Sequence, residues 1–305
     1  MKRTLIIINL FFFLCTNLSA QVSIEKKKGG FMILDGGEKI AFYQKEDTSM
    51  SLESGRNNFL HPVYLPDGTE ITENAPEDHM HHRGIFLSWH QILINNKQIC
   101  DPWILKDFIA DVKSIEFRRI DGGNGSFETK TFWKSTDWKK GEVAFLEENT
   151  TYLFYRQEGN SHRIKIDIFL KALTDSLKIG GSDDEKGYGG FSVRIKLPDD
   201  VKFTGAKGII EPQTTAVEAG NYVNISGSIG QNSKNGGILI YAAPDNQPSA
   251  QTWILRKKNS MQNAVFPGRV PVLIQKDVPL HLSYTVVLYS GKINEKQVIR
   301  KITQK

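Results

Sequence analysis

Short runs of alternating apolar and polar residues, broken by clusters of Gly, Asn and Asp, constrain this chain more than any other feature. Ile164-Lys165-Ile166-Asp167-Ile168-Phe169-Leu170 alternates in its first half, and Phe191-Ser192-Val193-Arg194-Ile195-Lys196-Leu197 alternates throughout and stops at Pro198. Leu282 to Tyr289 is β-branched and aromatic. A period of two sends successive side chains to opposite faces of a strand, so such runs describe half-buried sheets. Asp121-Gly122-Gly123-Asn124-Gly125, Glu158-Gly159-Asn160 and Asn235-Gly236-Gly237 separate them and supply the positive φ of tight turns. No stretch holds a 3.6-residue period over several turns, and only the tail from Asn294 to Ile302 reads as a short helix. The expected fold class is all-β: a large sandwich of two packed antiparallel sheets, with about fifteen or more strands at ordinary strand lengths. One domain over 21–305 is expected. A split into two smaller sandwiches near 175–190 has no linker composition behind it.

Residues 1–20 read as a signal peptide. Lys2 and Arg3 give a positive start, Leu5 to Cys15 an apolar stretch, and Ser19-Ala20 small residues for cleavage before Gln21. No other segment is apolar enough to span a bilayer as a helix, so no transmembrane segment is expected after cleavage. The mature chain is therefore expected to be exported, periplasmic or extracellular. It keeps one cysteine, Cys100, which cannot form an intramolecular disulfide and reads as a buried thiol. Removing Lys2 and Arg3 lowers the formal charge from +5 to +3, spread along the chain. With no aromatic-interleaved basic stripe, nucleic acid is not an expected partner.

Three segments carry candidate chemistry. Asp78-His79-Met80-His81-His82-Arg83-Gly84 holds three of the seven histidines and leads straight into Ile85, Phe86, Leu87 and Trp89. Extended, it would put His79 and His81 on one face and His82 on the other. That pair could chelate a divalent metal with a third ligand from elsewhere. Alternatively one imidazole works as a general acid or base while Arg83 holds an anion or hydroxyl, or the rings satisfy buried backbone groups. Asp183-Asp184-Glu185-Lys186-Gly187-Tyr188-Gly189-Gly190 enters the strand bearing Arg194, and offers either a base on a close backbone approach or an ordinary acidic turn. Ala243-Pro244-Asp245-Asn246-Gln247-Pro248, followed by Trp253, could present hydroxyl-binding groups beside an indole, or be a loop over a core tryptophan. Phosphate-binding, dinucleotide, nucleophile-elbow and zincin motifs are absent.

These segments, with His61-Pro62-Val63-Tyr64-Leu65-Pro66-Asp67-Gly68 and Asp101-Pro102-Trp103, stand in an order that resembles the family designated DUF6807, also labelled methane oxygenase PmoA-like. Its hallmark reads Asp-His-Pro-His-His-Arg-Gly, and here Met80 replaces the proline. Ala243 stands where the family usually has histidine, which removes a polar group from that loop. Oxygenase activity does not carry over with the label, because methane oxygenase is a membrane-embedded copper complex. The resemblance implies the β-supersandwich of aldose epimerases, the galactose mutarotase-like fold, and members occur in exported, polysaccharide-degrading settings. It implies, by fold analogy, a sugar ligand on a sheet face.

The expectation that follows is an exported carbohydrate-active enzyme, a hydrolase, lyase or epimerase, acting on a glycoside or modified sugar. His82 or His79 would be the general acid and Glu185 the base. Arg83, Lys186 and Arg194 would hold oxygen atoms, Asn246 would hydrogen-bond the sugar and Trp253 would stack on it. No cofactor follows from the sequence with certainty; a metal-dependent enzyme is an alternative, with a divalent metal on His79 and His81 and a carboxylate completing the set. A non-catalytic glycan-binding or cell-envelope protein is the alternative from a different class.

Overall fold

A computed structural model of the chain describes residues 21–47, 55–246 and 251–304. The expected signal peptide, with Gln247 and Pro248 of the proline-bounded loop, lies outside them. The described residues form two nine-stranded antiparallel sheets and a four-stranded one. The first runs, in spatial order, Val22–Lys27, Gly30–Asp35, Glu38–Gln44, Phe59–Val63, Ile85–Ser88, Gly190–Val193, Gln262–Val265, Thr252–Ile254 and Val217–Glu218. The second is built on the long strands Leu280–Ser290, Ser161–Ala172, Ala144–Phe154, Asn124–Ser135 and Phe108–Ile120. The small sheet contains the hairpin Gln91–Ile94 with Lys97–Cys100. The all-β sandwich expected from the alternation is the observed architecture.

The long strands show why. Asn124–Ser135 alternates between half-buried and buried at every position, and Ser161–Ala172 does so over most of its length. Their inward residues, Phe127, Trp133, Ile164, Ile166 and Ile168, meet Leu60, Ile85, Phe191, Val193 and Trp253 of the first sheet in one core. Removing that apolar surface from water is what holds the two sheets together. Glu148 lies buried between the sheets and accepts hydrogen bonds from Asn58 Nδ2, Thr150 Oγ1 and Trp133 Nε1, which offset its desolvation. The one α-helix among the described residues, Glu295–Thr303, starts where the sequence places it, and Asn294 caps the Gln297 amide. Among the described residues no helix is long and apolar enough to cross a membrane.

Two turn expectations hold and one does not. Gly122, Gly123 and Gly159 all adopt positive φ in turns. Gly236 and Gly237 instead belong to the strand Gly236–Ala242. A Cβ on Gly237 would lie 2.4 Å from both the Ile225 carbonyl oxygen and the Tyr289 hydroxyl, so that glycine provides space rather than a turn.

The first sheet has a second buried face. Pairing of Leu60 with Ile85, Phe86 with Ser192, Ser192 with Asn263 and Ile254 with Asn263 fixes which residues point away from the main core. Phe59, Phe86, Ile254 and Val265 form a separate apolar cluster there, covered by Trp103 and Met261 with Tyr188 at its edge. That cover explains why Gly190–Val193 is buried at every position although its sequence alternates. The candidate site lies on this covered face.

Candidate functional site

Arg194, directly after the strand Gly190–Val193, organises the site. It is 2% exposed. Its Nε donates to Glu73 Oε2 at 2.7 Å, and its Nη2 to the two Asp78 oxygens at 3.0 and 3.1 Å. Its Nη1 lies 3.4 Å from His82 Nδ1. Its backbone amide donates to the Gly84 carbonyl at 2.7 Å. Gly84 is required there, since a Cβ would sit 2.1 Å from the Leu60 carbonyl oxygen. The planar guanidinium thus ties the histidine segment to the sheet at three side chains, a task its fork of donors suits. Arg194 is a positioning residue, not the oxygen-binding group the sequence suggests.

The histidine segment is not extended. The His79 amide donates to the Pro76 carbonyl and the His82 amide to the His79 carbonyl, each at 2.9 Å. The second bond closes a turn with Met80 at its second position, where proline is favoured, and Met80 is solvent-exposed. The hallmark proline would pre-form this turn, and methionine keeps it without that restriction. Folding back brings the rings together. His79 and His82 stack with centroids 4.5 Å apart and planes 2° from parallel, while His81 stands edge-on to His82 at 4.6 Å.

These imidazoles have different proton chemistry. His82 is buried, and burial, followed by His81, His79 and Arg194, pushes its pKa down to about 2. It is neutral at physiological pH and accepts from Arg194, so it cannot be the acid poised near neutrality that the sequence suggests. Burial, then His79, Arg56 and His90, takes His81 down to about 4. His79 stays partly open, with its Nδ1 2.9 Å from Asp78 Oδ2. Partial burial works against it, but hydrogen bonds from His79 and Arg194 hold the Asp78 carboxyl below the usual carboxylate range. Asp78 remains an anion that fixes the His79 Nδ1–H tautomer and leaves Nε2 as the reactive nitrogen.

A second carboxylate–imidazole pair lies beside the first. His90 Nδ1 is 2.9 Å from Asp101 Oδ2. Its ring stacks on Trp103 at 5.4 Å and meets Tyr188 edge-on at 4.9 Å. Trp103 in turn contacts His82, with centroids 6.1 Å apart. His90 Nε2 is buried and has no hydrogen-bond partner among the described residues. Below lies Arg56, buried over the Phe86 ring and donating to the Pro102 and Trp103 carbonyls at 2.6 and 3.2 Å. Burial, then Arg83, pushes its pKa down to about 9. Neither His90 nor Arg56 stands out in the sequence. The readable signal for His90 is Asn95-Asn96, both at positive φ between Gln91–Ile94 and Lys97–Cys100. That hairpin folds Asp101 back onto His90.

Other expected site residues lie elsewhere or do other work. Glu185 is exposed and makes no hydrogen bond or ion pair among the described residues. Its segment is an acidic turn: Asp184 Oδ1 accepts from Ser182 Oγ, the Lys186 amide and the Gly187 amide. Lys186 Nζ is 3.8 Å from Asp184 Oδ2 and is likewise part of that turn. Tyr188, not Glu185, carries this segment to the histidines. Arg83 is buried, which lowers its pKa, and Asp47 opposes the shift. Asn246 does not face a ligand: its Nδ2 donates to the Ser283 carbonyl at 2.8 Å and its Oδ1 accepts from the Ser283 amide at 2.7 Å. Trp253 is fully buried in the main core, with its indole N–H on the Gly220 carbonyl at 2.8 Å, so no face is open for a sugar.

The residues present do not fit the expected metal. His79 and His81 stand edge-on with centroids 5.8 Å apart, and His79 Nδ1 is committed to Asp78. Among the described residues, no three His, Cys, Asp or Glu side chains are grouped to hold an ion. Cys100 is buried and free, and burial pushes its thiol pKa up, as expected of a structural cysteine.

No curated protein matches the chain. The profile of a family of unknown function, DUF6807, matches residues 31–303 and so takes in both carboxylate–imidazole pairs, the Arg194 anchor and the helix. The chain belongs to the DUF6807 family.

Proposed function

We propose that this protein is an exported enzyme that moves protons on a sugar or glycoside, as a lyase or epimerase, using His79 and His90. The observation that carries the reading is the pair of imidazoles, each held at Nδ1 by a carboxylate 2.9 Å away. Neither Nε2 has a hydrogen-bond partner among the described residues: that of His79 belongs to a partly open ring, that of His90 is buried, and neutral His81 lies near both rings. A base at one position and an acid at another is the arrangement needed to remove a proton beside a carbonyl or carboxylate and deliver one elsewhere. Hydrolysis is the weaker choice, because glycosidases work through two available carboxyl groups. Here Asp78 is taken by Arg194 and His79, Asp101 is taken by His90, and Glu185 has no contact with the cluster. Tyr188, half-buried against His90 and Trp103, supplies an aromatic edge for the ligand. Export rests on the composition of residues 1–20.

The test is incubation in D2O with a panel of aldoses, ketosugars, uronic acids and their glycosides, followed by NMR. Deuterium entering a C–H position, or an eliminated product, is the expected result for at least one member. Asp78→Asn and His79→Gln should each slow that reaction by about a hundredfold, the usual size of a general acid–base contribution. Exchange at the wild-type rate in both variants would remove His79 from the chemistry. Saturable sugar binding with neither exchange nor bond cleavage would make this a glycan-binding protein instead.

A further inference from the structure

A cleft of about 400 Å3 lies away from the histidines, between the C-terminal helix and the outer face of the second sheet. Its floor is Val287, paired in register with Arg163 of the neighbouring strand, and the helix contributes Val298 and Ile302. Arg163 distinguishes it from a plain surface groove. Its guanidinium carbon sits 3.7 Å above the centre of the Tyr155 ring. Among the described residues, that guanidinium donates no hydrogen bond and has no carboxylate within 4.0 Å. The other charges of the cleft are largely spent. Lys301 is bound to Glu158 at 2.7 Å, and Arg156 faces Asp35 at 3.7 Å. Lys292 has no ion pair among the described residues.

From this we infer a binding site for a small organic carboxylate with an apolar body, separate from the histidine site and independent of its assignment. Stacking on Tyr155 holds the guanidinium flat, so its fork of donors is oriented before a ligand arrives. A planar fork that no carboxylate bonds among the described residues matches the two oxygens of a carboxylate, with Glu158 of the same cleft bonded to Lys301 and attracting Arg163 only at longer range. Lys292 adds a second positive charge at the rim. The ligand's apolar part would lie along the half-buried Val298 and Ile302, which pack on Val287, and the cleft's volume is in the range that holds a small molecule.

Isothermal titration of the full chain with octanoate, acetate, glucuronate and inorganic sulfate tests this. Octanoate should bind saturably and about tenfold or more tighter than acetate, because several buried methylenes distinguish them. Arg163→Gln should weaken octanoate by about tenfold or more, and Arg163→Lys should recover only part of the loss, because lysine lacks the fork. Ile302→Ser should weaken octanoate and leave acetate nearly unchanged, because it removes apolar surface without adding charge. An unaltered thermal midpoint in each variant shows that the cleft is intact, and Arg118→Gln, on an exposed ion pair, serves as the control. Absence of saturable octanoate binding, or equal binding by wild type and a folded Arg163→Gln, overturns the site. Glucuronate or sulfate binding as tightly as octanoate overturns the apolar body.

Discussion

Arg194→Ala is expected to destabilise the protein by about 3 kcal/mol and to release the histidine segment from the sheet. The guanidinium is buried and holds Glu73, Asp78 and His82 together. Its removal leaves two carboxylates beside each other without their cation. Both are about 30% exposed, at 31% and 30%, so solvent screens part of the loss. That places the value at the lower end for breaking a buried ion pair. Arg194→Lys should recover less than half, since one ammonium cannot reach three partners with the geometry of a guanidinium. Urea unfolding followed by tryptophan fluorescence measures both. A change within about 0.5 kcal/mol of wild type, the size of an ordinary surface substitution, would show that Arg194 does not anchor the segment.

Acid should weaken the fold well above the range where carboxylates titrate. Burial pushes His61 and His81 down to about 4 and His82 to about 2, and it lowers His162 as well. In the unfolded chain each imidazole regains an ordinary value near 6.5. Between pH 6.5 and 4 the unfolded state therefore binds protons that the folded state refuses, and stability falls as pH falls. Each such histidine contributes up to about 1.4 kcal/mol per pH unit inside its window. His61 and His81 level off near pH 4, and His82 continues toward pH 2. Together the expected loss between pH 7 and 5 is on the order of several kcal/mol. Urea midpoints at those two pH values check this, and His61→Gln should flatten the dependence. A midpoint that does not move would mean that these rings are charged in the folded protein.

Much of the fold is legible in the sequence because strands leave a local record. Ser161–Ala172 and Asn124–Ser135 alternate because one face meets the core and the other is more open, whereas Leu280–Ser290 is continuously apolar and aromatic because it is buried on both faces, the outer one under the C-terminal helix. The record fails where a strand is covered on both sides. Ser192 and Arg194 look like the solvent face of an alternating strand, yet both are buried because the histidine segment and Trp103 lie over them. Phe191 to Leu197 accordingly shortens to the strand Gly190–Val193.

The histidine cluster could be found by its density, but its geometry could not. A turn closed at His79 and His82 stacks rings that an extended chain would send to opposite faces. Asn246 and Trp253 have the residue types of a sugar site, but pairing with Ser283 and burial at the core assign them to structure. The His90–Asp101 pair was hidden for the opposite reason. Its partners lie 11 residues apart and meet only through the register of the Asn95-Asn96 hairpin.

The measurement that most directly tests the acid–base site is 15N NMR of the imidazoles at neutral pH, because it reads the proton on each nitrogen without a known substrate. His79 and His90 should both carry a proton on Nδ1, donated to Asp78 and Asp101. His82 should be the Nε2–H tautomer, because its Nδ1 accepts from Arg194. Asp78→Asn and Asp101→Asn should each disturb the signals of their own histidine and leave the other in place. Finding His79 and His90 with the proton on Nε2, or finding His82 protonated on both nitrogens, would contradict a site built from two carboxylate-held bases around neutral imidazoles.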